Sequence, residues 1–417
     1  MTSMTRTSRV VIGGVDTHKD VHVAAVVDEV GKIIDTASLA TSAKGCNELL
    51  AWMRSHGELA KVAVEGTGCY GAGLARLLED EGVEVVEVNR PNRQARRRRG
   101  RSDTVDAEAA ARAALNGEAT VAPKAKTSVV ESIRVLRVAF TSARRARTQA
   151  ALQIRDLIVT APDELRAELG SLSSADRVAR CARFRLGVDA SEPLAATRVA
   201  LRTLARRYEA LSEEMGGLEQ HLDELTAKAN PVLRGVKGVG VDVAAILLTA
   251  AGENPDRLRN EAAFAALCGV SPVEASSGKV VRHRLNRSGN RQANHALWRI
   301  VMVRLTCDER TKTYAARRRA EGKSDRDIVR CLKRYVAREV FRHLTAPETI
   351  PAGEELRAAR QGAGLSLAIV AQALGTWPIR ISRLERSLDF DTALARRYEA
   401  FLAAELDAGA RQEENAA

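Results

Sequence analysis

The chain has 417 residues and a formal net charge of +12, because 65 lysines and arginines outnumber 53 aspartates and glutamates. Its apolar content of 45% excludes a wholly disordered protein, since that much apolar surface can offset the entropy lost on folding. The longest apolar stretch, Val243 to Ala251, is less than half the roughly 20 residues that a membrane helix needs, and Met1 to Gly14 lacks a signal-peptide pattern. We therefore expect several folded domains in a soluble, cytoplasmic, nucleoid-associated protein with no membrane partner.

The six cysteines lie far apart in the sequence and form no Cys-x-x-Cys pair. This spacing argues against a disulfide framework and against a structural zinc site. The arginine excess, with a pI of about 9.7, indicates a polyanionic partner. Because no membrane segment is present, nucleic acid is favoured over lipid.

The first hundred residues alternate between strand-like and helix-like patterns. The predicted strands are Arg9 to Asp16, Val21 to Asp28, Lys32 to Ser38, Lys61 to Glu65 and Val83 to Val88. The predicted helices are Leu49 to Met53 and Leu74 to Glu81. The first three strands follow one another closely and predict an antiparallel meander. The order β-β-β-α-β-α-β predicts a mixed sheet covered by helices.

A dense basic segment, RPNRQARRRRGR, runs from Arg90 to Arg101 and contains seven arginines in twelve residues. A solvated loop is one interpretation of such a charge run. A phosphate clamp is the other, because arginine donates bidentate hydrogen bonds to phosphate. We favour the clamp, since the segment directly precedes an acidic helix that starts at Ser102. The candidate nucleic-acid ligands in it are Arg93, Arg96, Arg97, Arg98 and Arg99.

Two long helical stretches are predicted, from Lys124 to Thr160 and from Leu201 to Leu225. In the second, apolar residues recur at alternating steps of three and four, which is typical of a coiled-coil seam. The seam consists of Leu201, Leu204, Tyr208, Leu211, Met215, Leu218, Leu222 and Leu225. The pattern fits an antiparallel or an intermolecular coiled coil. We expect the seam to join protomers in a homo-oligomer, either a dimer or, on DNA, a tetramer.

A glycine-rich turn follows Pro231, which ends the second helical stretch. Gly235, Gly238 and Gly240 lie between two helical patterns and resemble a helix-hairpin-helix, whose turn amides can hold a phosphate. A plain glycine-rich connector between helices fits equally well.

Four carboxylates stand at positions that a sheet could bring together. Asp16 ends the first strand, Glu65 ends the central strand, and Asp103 and Asp106 share one face at the start of a helix. Taken singly, these residues could start a turn, face solvent or cap a helix. If they converge, the cluster requires divalent cations, and carboxylate oxygens suit Mg²⁺ or Mn²⁺. A two-metal centre could then activate a nucleophile and stabilise the leaving oxygen of a phosphodiester.

Several motifs resemble the DEDD-type transposases of the IS110 insertion-sequence family. They are GVDTHKD (Gly14 to Asp20), VAVEGTGCYG (Val62 to Gly71), RSDTVDAEAAA (Arg101 to Ala111), GVKGVGVDVAA (Gly235 to Ala245), FAALCGVSPVEASSGK (Phe264 to Lys279) and Ser-Gly-Asn (Ser288 to Asn290). The resemblance extends from about Arg9 to Leu344. It implies a RuvC-like RNase H fold for the N-terminal domain. It also implies an RNA-guided DNA recombinase, in which a noncoding bridge RNA pairs with donor and target DNA.

The resemblance also implies roles for individual residues. By position, Asp16, Glu65, Asp103 and Asp106 would bind the metal, and Ser277 would be the nucleophile that becomes linked to DNA phosphate. From the residues alone, Ser276-Ser277-Gly278 is first of all a turn. Because serine needs activation, the flanking cations Lys279, Arg282 and Arg284 could hold phosphate and stabilise the transition state. We favour Ser277 over Ser276.

Beyond Leu344 the chain departs from the family pattern. Ala346 to Gly353 is interpreted as a linker, and Leu356 to Leu388 resembles a helix-turn-helix domain of the Cro/repressor type. Its predicted structural residues are Ser366 as a helix cap, Ala371 at a helix crossing, Gly375 in the turn, and Ile381 with Leu384 in the core. Its predicted major-groove residues are Trp377, Arg380 and Arg383. A purely structural helical tail is the alternative.

The sequence thus predicts a multidomain α/β plus α protein. The predicted segments are a RuvC-like DEDD domain at 9–120, a helical coiled-coil region at 121–229, a mainly helical transposase domain with the serine nucleophile at 230–344, a linker at 345–353 and a helix-turn-helix domain at 354–405. A transposase is the favoured function, and a RuvC-like structure-specific nuclease or a helix-turn-helix transcriptional regulator are alternatives. Four converging carboxylates argue against the regulator.

Overall fold

A computed structural model describes the protein. It covers residues 9–88, 102–185, 190–254, 257–280, 282–346 and 349–416, with side chains described as far as residue 406. Two compact units are present. The first consists of Met1–Lys126 and Gly252–Arg257, and the second of Thr127–Ala251 and Leu258–Ala417. Within the described ranges, no helix combines the length and the apolar character needed to cross a bilayer.

The first unit is built on a mixed five-stranded sheet with the order β3-β2-β1-β4-β5. The strands are β1 (Val10–Thr17), β2 (Val21–Asp28), β3 (Ile33–Ala40), β4 (Glu58–Glu65) and β5 (Glu84–Val88). Antiparallel pairing joins β1 to β2 and β2 to β3, whereas β4 runs parallel to both β1 and β5. The predicted meander and mixed sheet are confirmed.

Helices cover both faces of this sheet. They are α1 (Ala43–Ser55), α2 (Ala72–Asp80) and α3 (Asp103–Leu115). The first two bury large side chains, including Leu49, Met53, Leu74 and Leu78, against one face of the sheet. The buried hydrophobic side of α3 consists of alanines, so this helix lies very close to the opposite face.

The second unit is almost entirely helical. Its first helices are α4 (Val129–Val159), α5 (Asp163–Gly170), α6 (Ser174–Ala182) and α7 (Pro193–Ala229). They are followed by α8 (Pro231–Gly235), α9 (Val241–Ala251), α10 (Glu261–Leu267), the hairpin strands β6 (Val273–Glu274) and β7 (His283–Arg284), α11 (Arg291–Cys307), α12 (Glu309–Ala320) and α13 (Asp325–Thr345). The last helices are α14 (Gly353–Gly362), α15 (Leu367–Ala373), α16 (Pro378–Glu385) and α17 (Thr392–Ala416).

The predicted coiled-coil seam lies on α7 and faces α4 of the same chain. Met215 and Leu222 share a core with Phe140 near one end of the pair, and Leu201 shares a second core with Ile154 near the other. This order of contacts makes the pair antiparallel. The antiparallel interpretation is therefore confirmed, and the expectation that this seam joins protomers is wrong, because its apolar face is already covered within the chain.

The last four helices pack around their own apolar cluster within the second unit. The side chain of Ser366 caps α15 by accepting a hydrogen bond from the amide of Ile369. Ala371, Ile381 and Leu384 are buried, and Gly375 has a φ of +63°, the left-handed conformation that its turn requires. The structural roles predicted for these residues are confirmed, whereas a DNA-reading role for the segment stays a prediction.

The α4–α7 pairing yields a stability prediction. We expect Leu222→Ala to lower the free energy of unfolding by about 2–5 kcal/mol, because Leu222 is almost completely buried and its truncation leaves a cavity. Chemical denaturation monitored by circular dichroism measures this change. Leu152→Ala is the control, since Leu152 on α4 is 46% exposed and should change stability by less than about 0.5 kcal/mol. Equal effects of the two substitutions would contradict the packing.

Candidate functional site

The candidate site begins at the carboxyl ends of two neighbouring parallel strands. Val15 of β1 is paired with Val64 of β4, so the next residues lie side by side on adjacent strands, with Asp16 one residue before the end of β1 and Glu65 at the end of β4. Asp16 is buried and Glu65 is half-buried. The predicted juxtaposition of these two strand ends is confirmed.

The backbone after Glu65 is fixed by short-range hydrogen bonds. The Thr17 hydroxyl donates to the Glu65 carbonyl oxygen at 2.7 Å, which ties the two strand ends together. Gly66 has a φ of +74°, and its carbonyl oxygen accepts hydrogen bonds from the amides of Cys69 and Gly71. The chain therefore turns sharply at the end of β4, and glycine is the residue that takes this conformation without strain.

Helix α3 crosses β1 at Gly14 and brings its first turn to the strand end. A Cβ atom on Gly14 would lie 2.2 Å from the Ala111 nitrogen and 2.3 Å from the Ala107 oxygen, so the helix backbone rests directly on the strand. The helix starts at Asp103, with the Ser102 side chain accepting a hydrogen bond from the Val105 amide. Helix capping is therefore carried out by Ser102, which leaves Asp103 available for another role.

Within the described residues, Asp16 and Asp103 meet at an imidazole that the sequence analysis did not include. The Nε2 atom of His18 lies 3.2 Å from a carboxylate oxygen of Asp16 and 3.4 Å from one of Asp103. Ligand atoms of these three residues lie within 4.8 Å of one another, close enough to share a metal ion. The available signal was the position of His18 two residues after Asp16, at the end of β1.

The described residues around Asp16 only partly compensate its negative charge. Burial raises the pKa of Asp16 above its ordinary value, His18 lowers it in part, and the charges of Asp103 and Asp106 raise it again. A divalent cation would reverse the balance, because it favours the ionised carboxylate. The donor set of carboxylates with one imidazole suits Mn²⁺ and also accommodates Mg²⁺.

The other two predicted ligands lie nearby without joining this three-residue group. Asp106 is buried on the first turn of α3 and is close enough to influence the pKa of Asp16. Glu65 lies at the neighbouring strand end. Among the described residues the structure thus brings together Asp16, His18 and Asp103, with Asp106 and Glu65 around them.

The candidate nucleophile lies at the tip of the β6–β7 hairpin. The amide and carbonyl of Ser277 exchange hydrogen bonds with those of Val280, which encloses a two-residue turn. Gly278 has a φ of +56° at the first position of that turn, as a type II′ turn requires. The turn interpretation of this segment is confirmed.

The two adjacent serines differ in their side-chain contacts. The Ser276 hydroxyl accepts a hydrogen bond from the Arg282 amide at 3.2 Å and is therefore held by its own hairpin. The Ser277 side chain is exposed, and its hydroxyl has no hydrogen-bond partner in the part of the chain that the structure describes. Three exposed cations, Lys279, Arg282 and Arg284, flank it.

The remaining predicted nucleic-acid ligands are placed as follows. Arg93, Arg96, Arg97, Arg98 and Arg99 lie outside the described residues. In the tail, Trp377 is 74% exposed, and Arg383 is exposed and donates to the Leu388 carbonyl. Arg380 forms ion pairs with Asp389 at 3.1 Å and Asp391 at 2.9 Å, so its guanidinium holds the loop after α16.

The glycine turn between α8 and α9 has several contacts inside the second unit. Gly238 has a φ of +90°, as a tight turn requires. The Arg304 side chain donates to the Lys237 carbonyl at 2.8 Å, and Lys237 itself forms an ion pair with Asp308. A Cβ on Gly235 would clash with the Phe390 carbonyl of the tail. Phosphate binding by this turn stays a prediction.

Two family models match this chain. One, of the DEDD IS110 type and described as a transposase, matches residues 13–161. The other, described as the transposase IS116/IS110/IS902 family, matches residues 230–316. The first match includes all four predicted metal ligands, and the second includes the hairpin with Ser277.

Two curated relatives are also proteins of insertion elements. The chain is 31% identical over 167 residues to the 43.6 kDa protein of insertion element IS110 from Streptomyces coelicolor, which is 38% of this chain and 41% of that protein. It is 28% identical over 146 residues to the 42 kDa protein of insertion element IS900 from Mycobacterium paratuberculosis, which is 34% of this chain and 36% of that protein. The matched region spans less than half the length of either relative.

The close approach at Gly14 yields a prediction about the site. We expect Gly14→Ala to lower the free energy of unfolding by about 3 kcal/mol or more and to weaken Mn²⁺ binding, because the new methyl group displaces α3. Thermal unfolding with and without Mn²⁺ measures both effects. Gly73→Ala, on an open face of α2, should leave both unchanged or raise stability slightly. Normal Mn²⁺ binding by Gly14→Ala would show that α3 does not set the site.

A second prediction concerns the charge of Asp16. Because the folded protein binds this proton more tightly than the unfolded chain, Asp16 lowers stability as the pH rises from its ordinary pKa of 3.8 through its raised value. We expect Asp16→Asn to have an equal or higher Tm at neutral pH in metal-free buffer. Only the wild type should gain stability from Mn²⁺, by about 2.7 kcal/mol at 100 times Kd. Equal gains would argue against Asp16 as a ligand.

Proposed function

We propose that this chain, which belongs to the IS110 family of transposases, cuts and rejoins DNA by using a divalent-metal centre on its first unit and Ser277 on its second. The observation that carries the proposal is the meeting of Asp16, His18 and Asp103 at the carboxyl end of β1. All three residues lie inside the segment 13–161 that matches the DEDD transposase model.

The metal centre would be held by Asp16 and Asp103, with Glu65 and Asp106 completing the predicted set. Mg²⁺ or Mn²⁺ bound there would polarise a phosphodiester and stabilise its leaving oxygen. The protein's own contribution is to hold the carboxylates on rigid elements, since β1 and α3 are in direct backbone contact. His18 can act as a further ligand or can accept a proton, because its Nε2 already lies beside both carboxylates.

The serine explains how cleavage can be followed by joining. A nuclease that uses water loses the energy of the phosphodiester bond, whereas a serine ester conserves it by exchanging one phosphodiester for another. Ser277 suits this role because, among the described residues, its exposed hydroxyl makes no hydrogen bond, whereas the exposed Ser276 is held by the Arg282 amide. The flanking Lys279, Arg282 and Arg284 would hold the phosphate during the exchange.

The proposed partners are donor and target DNA together with a noncoding bridge RNA that selects them. The RNA rests on the family resemblance, and the net charge of +12 is compatible with two polyanionic partners. A homo-oligomer is also proposed, although the coiled-coil seam does not supply its interface. Sequencing the noncoding DNA beside the coding region for a stem-loop with guide-like loops would test the RNA.

Two alternative functions differ in what they require. A RuvC-like structure-specific nuclease needs the metal centre and releases DNA with no protein attached. A transcriptional regulator built on the tail needs neither metal nor serine, and the exposure of Trp377 and Arg383 favours DNA contact there. A covalent adduct between protein and DNA separates the transposase from both.

The decisive prediction concerns the two serines. We expect Ser277→Ala to remove cleavage and joining while nucleic-acid affinity and its salt dependence are unchanged, because binding depends mainly on contacts between cations and phosphate. Ser276→Ala is the matched control and should retain at least partial activity. Wild-type reactions stopped with denaturant and digested with protease should yield a DNA-bearing peptide whose phosphate maps to Ser277 by mass spectrometry.

Each other outcome has a definite meaning. Phosphate on Ser276 would move the assignment by one residue. Metal-dependent cleavage without any adduct would support the nuclease, and neither cleavage nor adduct, with sequence-specific DNA binding that depends on Trp377, would support the regulator.

A further inference from the structure

A large open cleft lies between α11, α12 and α13 of the second unit. Its volume is about 780 Å³, within the range of pockets that hold a ligand of nucleotide size. No motif of the sequence analysis falls on this cleft, and the proposed metal centre and Ser277 do not line it. Its walls combine two features, clustered arginines and stacked aromatic rings.

Five arginines line the cleft, whereas the lining contains only two carboxylates. The arginines are Arg304, Arg310, Arg317, Arg338 and Arg342, and the carboxylates are Asp308 and Glu339. Both carboxylates are already used inside the protein, because Glu339 binds Arg304 through two hydrogen bonds and Asp308 pairs with Lys237. The cleft is therefore positively charged.

Three of the arginines are at least partly exposed, and their positive charge is not fully balanced by carboxylates of the described residues. Arg310 is exposed and has no ion pair or hydrogen bond with any residue that the structure describes. Arg338 and Arg342 share one carboxylate, that of Glu261, at 2.8 and 3.8 Å. One negative charge between two guanidinium groups leaves a net positive charge, which is the requirement for holding phosphate.

An aromatic pair lies among these arginines. The rings of Tyr314 and Tyr335 are 5.6 Å apart and nearly perpendicular, and the Arg317 guanidinium stacks over Tyr314 at 5.4 Å. Tyr335 is 53% exposed although it lines the cleft, so much of its ring is open to solvent. Such a ring beside spare cations can stack on an unpaired base while the arginines hold the backbone.

We propose that this cleft binds a single-stranded segment of nucleic acid, with a base stacked on Tyr335 and phosphates held by Arg310, Arg338 and Arg342. A duplex fits these features less well, since its bases are already stacked on one another. An acidic peptide would satisfy the arginines, but it would not use the exposed ring. The inference goes beyond the proposed chemistry, because it does not depend on the metal or on the serine.

The test measures binding of the full chain to fluorescently labelled oligothymidylate, oligouridylate and a duplex of equal length, in EDTA so that no metal chemistry occurs. We expect Tyr335→Ala to weaken binding of the single strands by roughly tenfold, as loss of one base-stacking contact does, without changing the salt dependence. Tyr335→Phe should restore binding, because it keeps the ring. Duplex binding should be the same for all three proteins.

The phosphate contacts have their own readout. We expect Arg310→Ala to weaken single-strand binding and to reduce the slope of log affinity against log salt by about 0.7, the value for one lost contact on a single strand. Arg319→Ala is the matched control, since Arg319 lies on the same helix, pairs with Asp325 and does not line the cleft. It removes the same charge and should leave the slope unchanged.

The outcomes identify which kind of molecule binds in the cleft. Tighter binding of oligouridylate identifies RNA as the source of the single strand, and tighter binding of oligothymidylate identifies DNA. Unchanged single-strand affinity in Tyr335→Ala, confirmed as folded by its Tm, overturns the proposal. Equal competition by polyglutamate at matched charge overturns it in favour of an acidic protein partner. Ser277→Ala separates this test from that of the proposed function. We expect this variant to lose recombination but to bind the oligonucleotides normally.

Discussion

The candidate site depends on how closely a helix can approach a strand. At Gly14 the backbone of α3 lies where a side chain would otherwise be, and the alanines of α3 extend this contact along the sheet. The first turn of the helix therefore reaches the end of β1, where Asp16 is buried. Larger residues on either element would separate Asp103 from Asp16 by pushing the helix outward, so small residues on both sides are a condition for the carboxylates to meet.

Two aspartates, the buried Asp16 and the half-buried Asp242, differ in how their negative charge is compensated by the described residues. Asp242 is held by Arg137, Arg144 and Arg299 at 3.3, 3.0 and 2.7 Å, and these arginines outweigh burial and hold its pKa below the ordinary value. Its charge is compensated, and it serves to join α4, α9 and α11. Burial raises the pKa of Asp16, and among the described residues the charges of two further acids raise it while one imidazole, that of His18, lowers it. Asp242 is thus neutralised by arginines, whereas among the described residues Asp16 has other acids beside it, an arrangement typical of functional sites rather than of structural ion pairs.

The elements predicted best from the sequence were those with a strong local pattern. Runs of β-branched residues predicted the strands, and the spacing of small and apolar residues predicted the core of the tail. Both patterns reflect which residues of an element are buried. His18 was missed although it lies two residues after Asp16, because a single histidine after a strand does not by itself indicate a ligand; the fold then brings Asp103 to the pair. The partner of the α7 seam was also beyond the sequence, since a heptad pattern shows that an apolar face needs cover but not which helix provides it. Arg380 is similar, because its pairing with Asp389 and Asp391 depends on how the chain turns after α16.

The choice between Ser276 and Ser277 shows where local geometry adds what sequence motifs leave open. Successive side chains of a hairpin point to opposite faces, so two adjacent serines cannot have the same surroundings. The turn that begins at Gly278 determines the surroundings of each serine. The positive φ of Gly278 fits the two-residue turn in which Ser277 is paired with Val280. In that register the Ser276 hydroxyl accepts a hydrogen bond from the Arg282 amide, and Ser277 lies at the exposed tip of the hairpin. Among the described residues, the Ser276 hydroxyl is held by a backbone hydrogen bond and the Ser277 hydroxyl makes none, so reorientation toward a phosphate costs less for Ser277.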